Sequence, residues 1–313
     1  MYLLKQLLLI NQNKIIFFLI TISFCTYSEI NYKNFNPTNA FENIKELILI
    51  SPRDAGTKNG HKAARYLNKK LKSINIQNEL HYFSDSTPNG IKKMVNVVGK
   101  INGINDEWII IGSHFDTMPG IKNFVGANDS GSSTGVLLEL ARVLKDYELN
   151  YGIIIIFFDG EEAIRNYIPG DGLHGSRYYA NLIKESGFYK KCKFMILLDM
   201  VGDKDLQFTI PGNTSSILLN KFYLSEKKLG YVNKIKHLEN TFIIDDHVPF
   251  MKIGIPSINI IDFNYGSKKL SNDYWHTSKD NIENISIESL KTTGFITLQL
   301  LNELEIYGQK PSK

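Results

Sequence analysis

An α/β architecture, a mostly parallel central sheet covered by helices on both faces, is the fold class this chain predicts, on two features of its pattern. Short runs rich in Val and Ile recur at 94–98, 108–111, 153–158 and 195–198. Runs of that length, bounded by turn residues, suit strands buried on both faces. Between them lie stretches with apolar residues at helical spacing, and strand–helix alternation argues for a covered, largely parallel sheet.

In chain order, Phe41, Ile44, Leu47 and Ile48 mark a first helix, and Ala64, Leu67 and Leu71 share one face of a second over about 60–73. Further helices are predicted at 135–145 and 173–184, and a short strand at 242–244. A closing helix over about 287–307 packs Leu290, Phe295, Leu298 and Leu301. No linker composition interrupts these elements, so residues 40–307 are expected to form a single catalytic domain. Residues 26–39 are polar and Asn-rich and read as a linker. Ahead of them, Lys5 and Lys14 are the only charged side chains before Glu29, and the apolar run 15–25 is too short to span a membrane comfortably. Residues 1–25 therefore read as a signal peptide or N-terminal membrane anchor, and the chain as exported: secreted, periplasmic or in a secretory pathway.

The 36 Lys and Arg against 32 Asp and Glu leave a net charge of +4, without a dense basic cluster, which argues against a nucleic-acid partner. Two isolated cysteines, Cys25 and Cys192, make neither a disulfide framework nor a thiolate metal site. Any metal must be held by His and carboxylates.

Polar clusters follow the predicted strands. They are Ser113-His114-Phe115-Asp116-Thr117, Asp159-Gly160-Glu161-Glu162-Ala163, Asp199-Met200-Val201-Gly202-Asp203 and Asp245-Asp246-His247. A fifth, Gly126-Ala127-Asn128-Asp129-Ser130-Gly131-Ser132, opens a helix, and Tyr274-Trp275-His276-Thr277 lies in a late loop. Taken singly, Asp129 reads as a helix cap and Glu161-Glu162 as surface charges. Taken together they argue for a cation, since acids crowded at one sheet edge repel unless one stands between them. Zinc accepts His nitrogen and carboxylate oxygen and keeps one position open in catalytic sites. Asp129, Glu162 and His276 would supply three ligands, leaving the adjacent Glu161 to carry protons beside the metal.

At these residues the sequence resembles the zinc aminopeptidase and glutaminyl cyclase superfamily. Six motifs appear in the family's order across about 40–307: GSHFDT, GANDSGSSTG, FFDGEEA, LLDMVGD, DDHVPF and YWHT. The segments 157–163, 171–177 and 245–250, and Trp275 directly before His276, look more like glutaminyl-peptide cyclotransferases than aminopeptidases. The resemblance implies a zinc aminopeptidase-like fold and zinc on Asp129, Glu162 and His276. It also implies a proton-handling network of Glu161, Asp199 and Asp246, and a substrate pocket walled by Trp275. In this chain Tyr167 stands in place of an expected Trp and is expected to line that pocket with Trp275, and Asn259 stands where animal cyclases carry His.

The activity this implies is cyclisation of an N-terminal glutamine to pyroglutamate with release of ammonia, on a peptide or protein with a free N-terminus, using one zinc ion. The alternative is a di-zinc aminopeptidase in which His114 and Asp199 join Asp129 on a second ion and Asp116 orients His114. A catalytically inactive binding domain is the third reading. Contact with a membrane is expected only through an uncleaved N-terminal segment.

Overall fold

The structure, a computed structural model, describes residues 29–306 except 169, 233–234, 239–240 and 270. The expected signal or anchor segment lies outside the described residues. Among them, no helix is long and apolar enough to cross a membrane.

The helices are α1 (Pro37–Ile48), α2 (Lys58–Ser73), α3 (Gly131–Leu144), α4 (His174–Glu185), α5 (Ser216–Leu229), α6 (Val248–Lys252) and α7 (Ile287–Glu303). The strands are β1 (Gln77–Thr87), β2 (Gly90–Ile101), β3 (Trp108–His114), β4 (Gly152–Phe158), β5 (Cys192–Asp199), β6 (Phe208–Pro211), β7 (Ile235–Leu238) and β8 (Ser257–Ile261). Six strands form one sheet in the order β1-β2-β4-β3-β5-β8, and β6 and β7 pair separately. The pairs β4–β3, β3–β5 and β5–β8 are parallel, while β1–β2 and β2–β4 are antiparallel.

Alternation along the central strands divides the core. Ile109, Ile111, Ile153 and Ile155 pack on the side of α1, α3 and α7. Ile110, Ile154 and Ile156 face the other side, with Tyr179 and Ile183 of α4 and Phe250 of α6. Because both faces are covered, the strand runs are apolar throughout rather than alternating, as the composition predicted.

The structure departs from the sequence expectations at two places and adds one element. Residues 29–39 are not a spacer: Ile30 and Phe35 are buried in the core, and the ring of Phe35 lies against Gly294 of α7. Their Asn-rich surroundings concealed two anchoring apolar side chains. Residues 242–244 form no strand; Phe242 and Ile244 are exposed on a loop, at 75% and 52%. Finally, β1 was not anticipated. It is an edge strand with alternately exposed residues, so it lacks the continuous apolar run that marked the others.

Candidate functional site

The exits of β4, β3 and β5 lie side by side, which gathers residues distant in sequence at one sheet edge. His114 and Asp199 are the last residues of β3 and β5. Glu161 and Glu162 follow the end of β4 through Gly160, whose φ of +79° suits glycine and whose β-carbon would meet the Met94 sulfur at 2.6 Å. Asp129 sits just before α3, after Gly126 at φ +55°, where a β-carbon would collide with the Asp129 carbonyl. His276 comes from the loop ahead of α7, itself at φ +53°.

Asp116 ties two of these exits. Its carboxylate accepts the backbone N–H of Glu161 at 3.0 Å and of Glu162 at 3.2 Å, and it faces His114 Nδ1 at 3.5 Å. Arg53, wholly buried, donates to the carbonyls of Phe115, Val125 and Gly126, holding the segments that carry Asp116 and Asp129. Asp280, which the sequence reading did not single out, accepts the N–H groups of Asn128 at 2.6 Å and Asp129 at 3.0 Å and the Tyr265 hydroxyl at 3.2 Å. Its position four residues after His276 was the available signal. Burial, with Asp129 nearby, pushes its carboxyl up to about 7.

Asp129, Glu162 and His276 offer donor atoms that lie within 4.8 Å of one another. His276 Nε2 stands 3.3 Å from Asp129 Oδ2 and 3.2 Å from Glu162 Oε2, with hydrogen-bond geometry to neither. Glu162 Oε1 is buried with no partner. Donors about 2.0–2.2 Å from a tetrahedral ion stand roughly 3.3–3.5 Å apart, so this convergence fits a zinc-sized cation. His114, Asp129 and Asp199 make a second such group, with His114 Nε2 at 3.1 Å from Asp129 Oδ1 and 3.3 Å from Asp199 Oδ1.

Beside these groups opens a half-enclosed cavity of about 350 Å³. Asp129, Glu161, Asp199 and Asp245 give it an acidic floor, while Phe242, Ile244, Phe263, Tyr167 and Trp275 make its walls. Trp275 stacks on His276 with centroids 4.0 Å apart and donates its indole N–H to Asp129 Oδ2 at 3.0 Å. It therefore orients a candidate ligand as well as bounding the cavity.

Of the expected proton-handling residues, Glu161 and Asp199 line the cavity. Asp246 is wholly buried and does not line the cavity; its neighbour Asp245 does. Asp246, two residues ahead of α6, still bears on the group, since its charge helps to raise Glu161, and Asn259 on β8 donates to Asp245 Oδ2 at 2.6 Å and fixes that carboxyl at the floor. Burial raises Glu161 well above the usual carboxylate range, opposed by His114 and reinforced by Asp245. Burial likewise raises Asp245, with Asp199 and Asp246 adding like charge. Such a group holds fewer negative charges than carboxyls, so protons are shared within it.

The sequence model of peptidase family M28 matches residues 96–301. The chain belongs to peptidase family M28. This M28 chain is 26% identical over 280 residues to a glutaminyl-peptide cyclotransferase of Drosophila melanogaster, covering 80% of this chain and 77% of the relative. It is similar to the solved glutaminyl cyclase of an Acidobacteriales bacterium, with a TM-score of 0.82 and 32% identity over 90% of this chain and 97% of the other. A Zn-dependent exopeptidase from Parabacteroides distasonis matches at TM-score 0.73 and 28% identity, over 85% of this chain and 98% of the other. The M28 fold, a helix-covered α/β sheet, is thus shared by chains of both names.

Proposed function

We propose that this chain is a zinc-dependent glutaminyl-peptide cyclotransferase that converts an N-terminal glutamine to pyroglutamate. The observation that carries the reading is the acidic floor. Glu161, Asp199 and Asp245 line one small cavity together with Asp129, whose carboxylate also belongs to the Asp129, Glu162 and His276 donor set, so a proton-handling group adjoins a place for a cation. The names borne by its relatives support the same activity.

Zinc held by Asp129, Glu162 and His276 would supply Lewis-acid polarisation of the substrate γ-carbonyl. The remaining work belongs to the chain. Amine and carbonyl sit on the same glutamine residue, so the attack is intramolecular and positioning supplies much of the rate. Trp275 and Phe263, 5.3 Å apart between ring centroids, bound the space in which the side chain curls back on its own amine. The α-nitrogen bonds to the γ-carbonyl carbon, the bond from that carbon to the amide nitrogen breaks, and ammonia departs. Glu161 takes a proton from the attacking amine and returns one to the leaving nitrogen. Asp199 and Asp246, with Asp245 at the cavity floor, keep a shared proton beside it.

The His114, Asp129 and Asp199 group supports a second reading, a di-zinc aminopeptidase. There Glu161 deprotonates a water and Asp116 orients His114. All these residues are present, so nothing favours an inactive binding domain.

The test is an assay of the purified chain on a glutamine-leading peptide and on leucine amide, with metal analysis. Ammonia release at about one zinc per chain is expected. Leucine release at about two zincs, without ammonia, would replace the cyclase by the peptidase. We also propose export through residues 1–25 and a single catalytic unit over 40–307 on which the segment 29–39 packs. N-terminal sequencing of secreted protein and limited proteolysis check these two points.

A further inference from the structure

Tyr167 occupies the loop between β4 and α4, half-buried at the cavity wall. A wall residue needs only its ring. This one also places its hydroxyl 3.2 Å from Glu161 Oε2 and 3.5 Å from Glu162 Oε2. Two oxygens thus compete for one O–H. Glu162 Oε2 is the atom that also faces His276 Nε2 at 3.2 Å, so it belongs to the candidate metal set. Glu161 offers the shorter contact, and among the described residues no other side chain donates to its carboxylate. Its backbone is fixed by Asp116 and by the bond from Leu173 N to its carbonyl, but its side-chain torsions are not.

We infer that Tyr167 is a positioning residue for the proton carrier: its hydroxyl holds Oε2 of Glu161, leaving Oε1 without a protein partner and available to the substrate amine. A glutamate has three side-chain torsions. Beside a cation its carboxylate would otherwise swing toward the positive charge and join Glu162 as a ligand. A hydrogen bond to one oxygen resists that swing without engaging the other. The loop presents the phenol firmly, because the Asp171 carboxylate accepts the N–H groups of Ile164, Arg165 and Asn166 at 2.6, 2.8 and 3.0 Å. Such a role raises turnover rather than binding, since it acts on the group that moves the proton.

This inference rests on the proposed role of Glu161, which the cyclase and peptidase readings share. The test is Tyr167→Phe in the zinc-loaded chain, with kcat and KM determined separately on a glutamine-leading peptide. Loss of a hydrogen bond to a charged group predicts a fall in kcat of roughly 10- to 100-fold, with KM within about two-fold and zinc content unchanged. Tyr167→Leu removes ring and hydroxyl together, and should show the same fall in kcat plus a raised KM. An unchanged kcat in Tyr167→Phe overturns the inference, because Tyr167 is then a wall alone. Zinc loss in that variant also overturns it, by assigning the hydroxyl to Glu162. If the wild-type chain releases no ammonia, the cyclase reading fails by itself, and the same comparison on leucine amide still decides the role of Tyr167.

Discussion

Replacing Asp280 by Ala should weaken metal binding although Asp280 stands outside both candidate ligand groups. The carboxylate accepts three hydrogen bonds, two from backbone N–H groups of the segment that presents Asp129. Removing it leaves two N–H groups unsatisfied in a buried site, at about 1–3 kcal/mol each. The Tyr265 hydroxyl loses a partner as well. These costs do not add fully, and the cavity relaxes, so a loss of about 3–5 kcal/mol of folding stability is expected. The same change frees Asp129 to drift from His276 and Glu162, and loss of such a supporting group costs roughly 10- to 100-fold in metal affinity. Urea unfolding measures the first quantity and competition with a zinc chelator the second. Asp280→Asn keeps one acceptor oxygen and should fall between wild type and Ala. If Asp280→Ala binds zinc as tightly as wild type, the Asp129 segment holds its own shape and the reasoning is wrong.

Glu161→Gln should lower turnover by roughly 10²- to 10⁴-fold with zinc content unchanged, read by steady-state kinetics and metal analysis. Phe242→Ser and Ile244→Ser, on the exposed rim, should leave the melting temperature in place and raise KM roughly 3- to 10-fold, the equivalent of about 1 kcal/mol of apolar contact. The metal-free protein should melt at a higher temperature at pH 5 than at pH 8. Burial lifts Glu162, Asp246, Asp262 and Asp280 to about 7, so each binds more protons folded than unfolded between about pH 4 and 7. Stability therefore falls as pH rises through that window. His247, lowered by burial to about 3, opposes this below its unfolded value and is outnumbered by the raised acids. A higher melting temperature at pH 8 than at pH 5 in chelator-treated protein would contradict this balance.

The central strands and the helices covering them were legible because burial on both faces leaves unbroken runs such as Ile153–Phe158. The edge strand β1 was not, since half its residues meet water. The convergence of donor groups was legible where residue type limits the role, as for Asp129, Glu162 and His276, whose donor atoms meet. It was ambiguous where two like residues adjoin, as with Asp245 and Asp246. Asp280 escaped notice because its partners are main-chain groups, which leave no trace in side-chain pattern. Tyr167 was read as a wall because an aromatic residue announces bulk, while the direction of its hydroxyl depends on how the 164–171 loop is folded.

That loop holds itself together. Asp171 gathers three successive N–H groups from within the same loop, and the N–H of Asp171 returns to the Ile168 carbonyl at 2.9 Å. Three of its main-chain N–H groups are thus tied to Asp171 rather than to the side chain at position 167. Such a segment behaves as a cassette: the tip residue can be exchanged during divergence, or by an engineer, to retune which substrates turn over, while the surrounding scaffold keeps its coordinates and its fold.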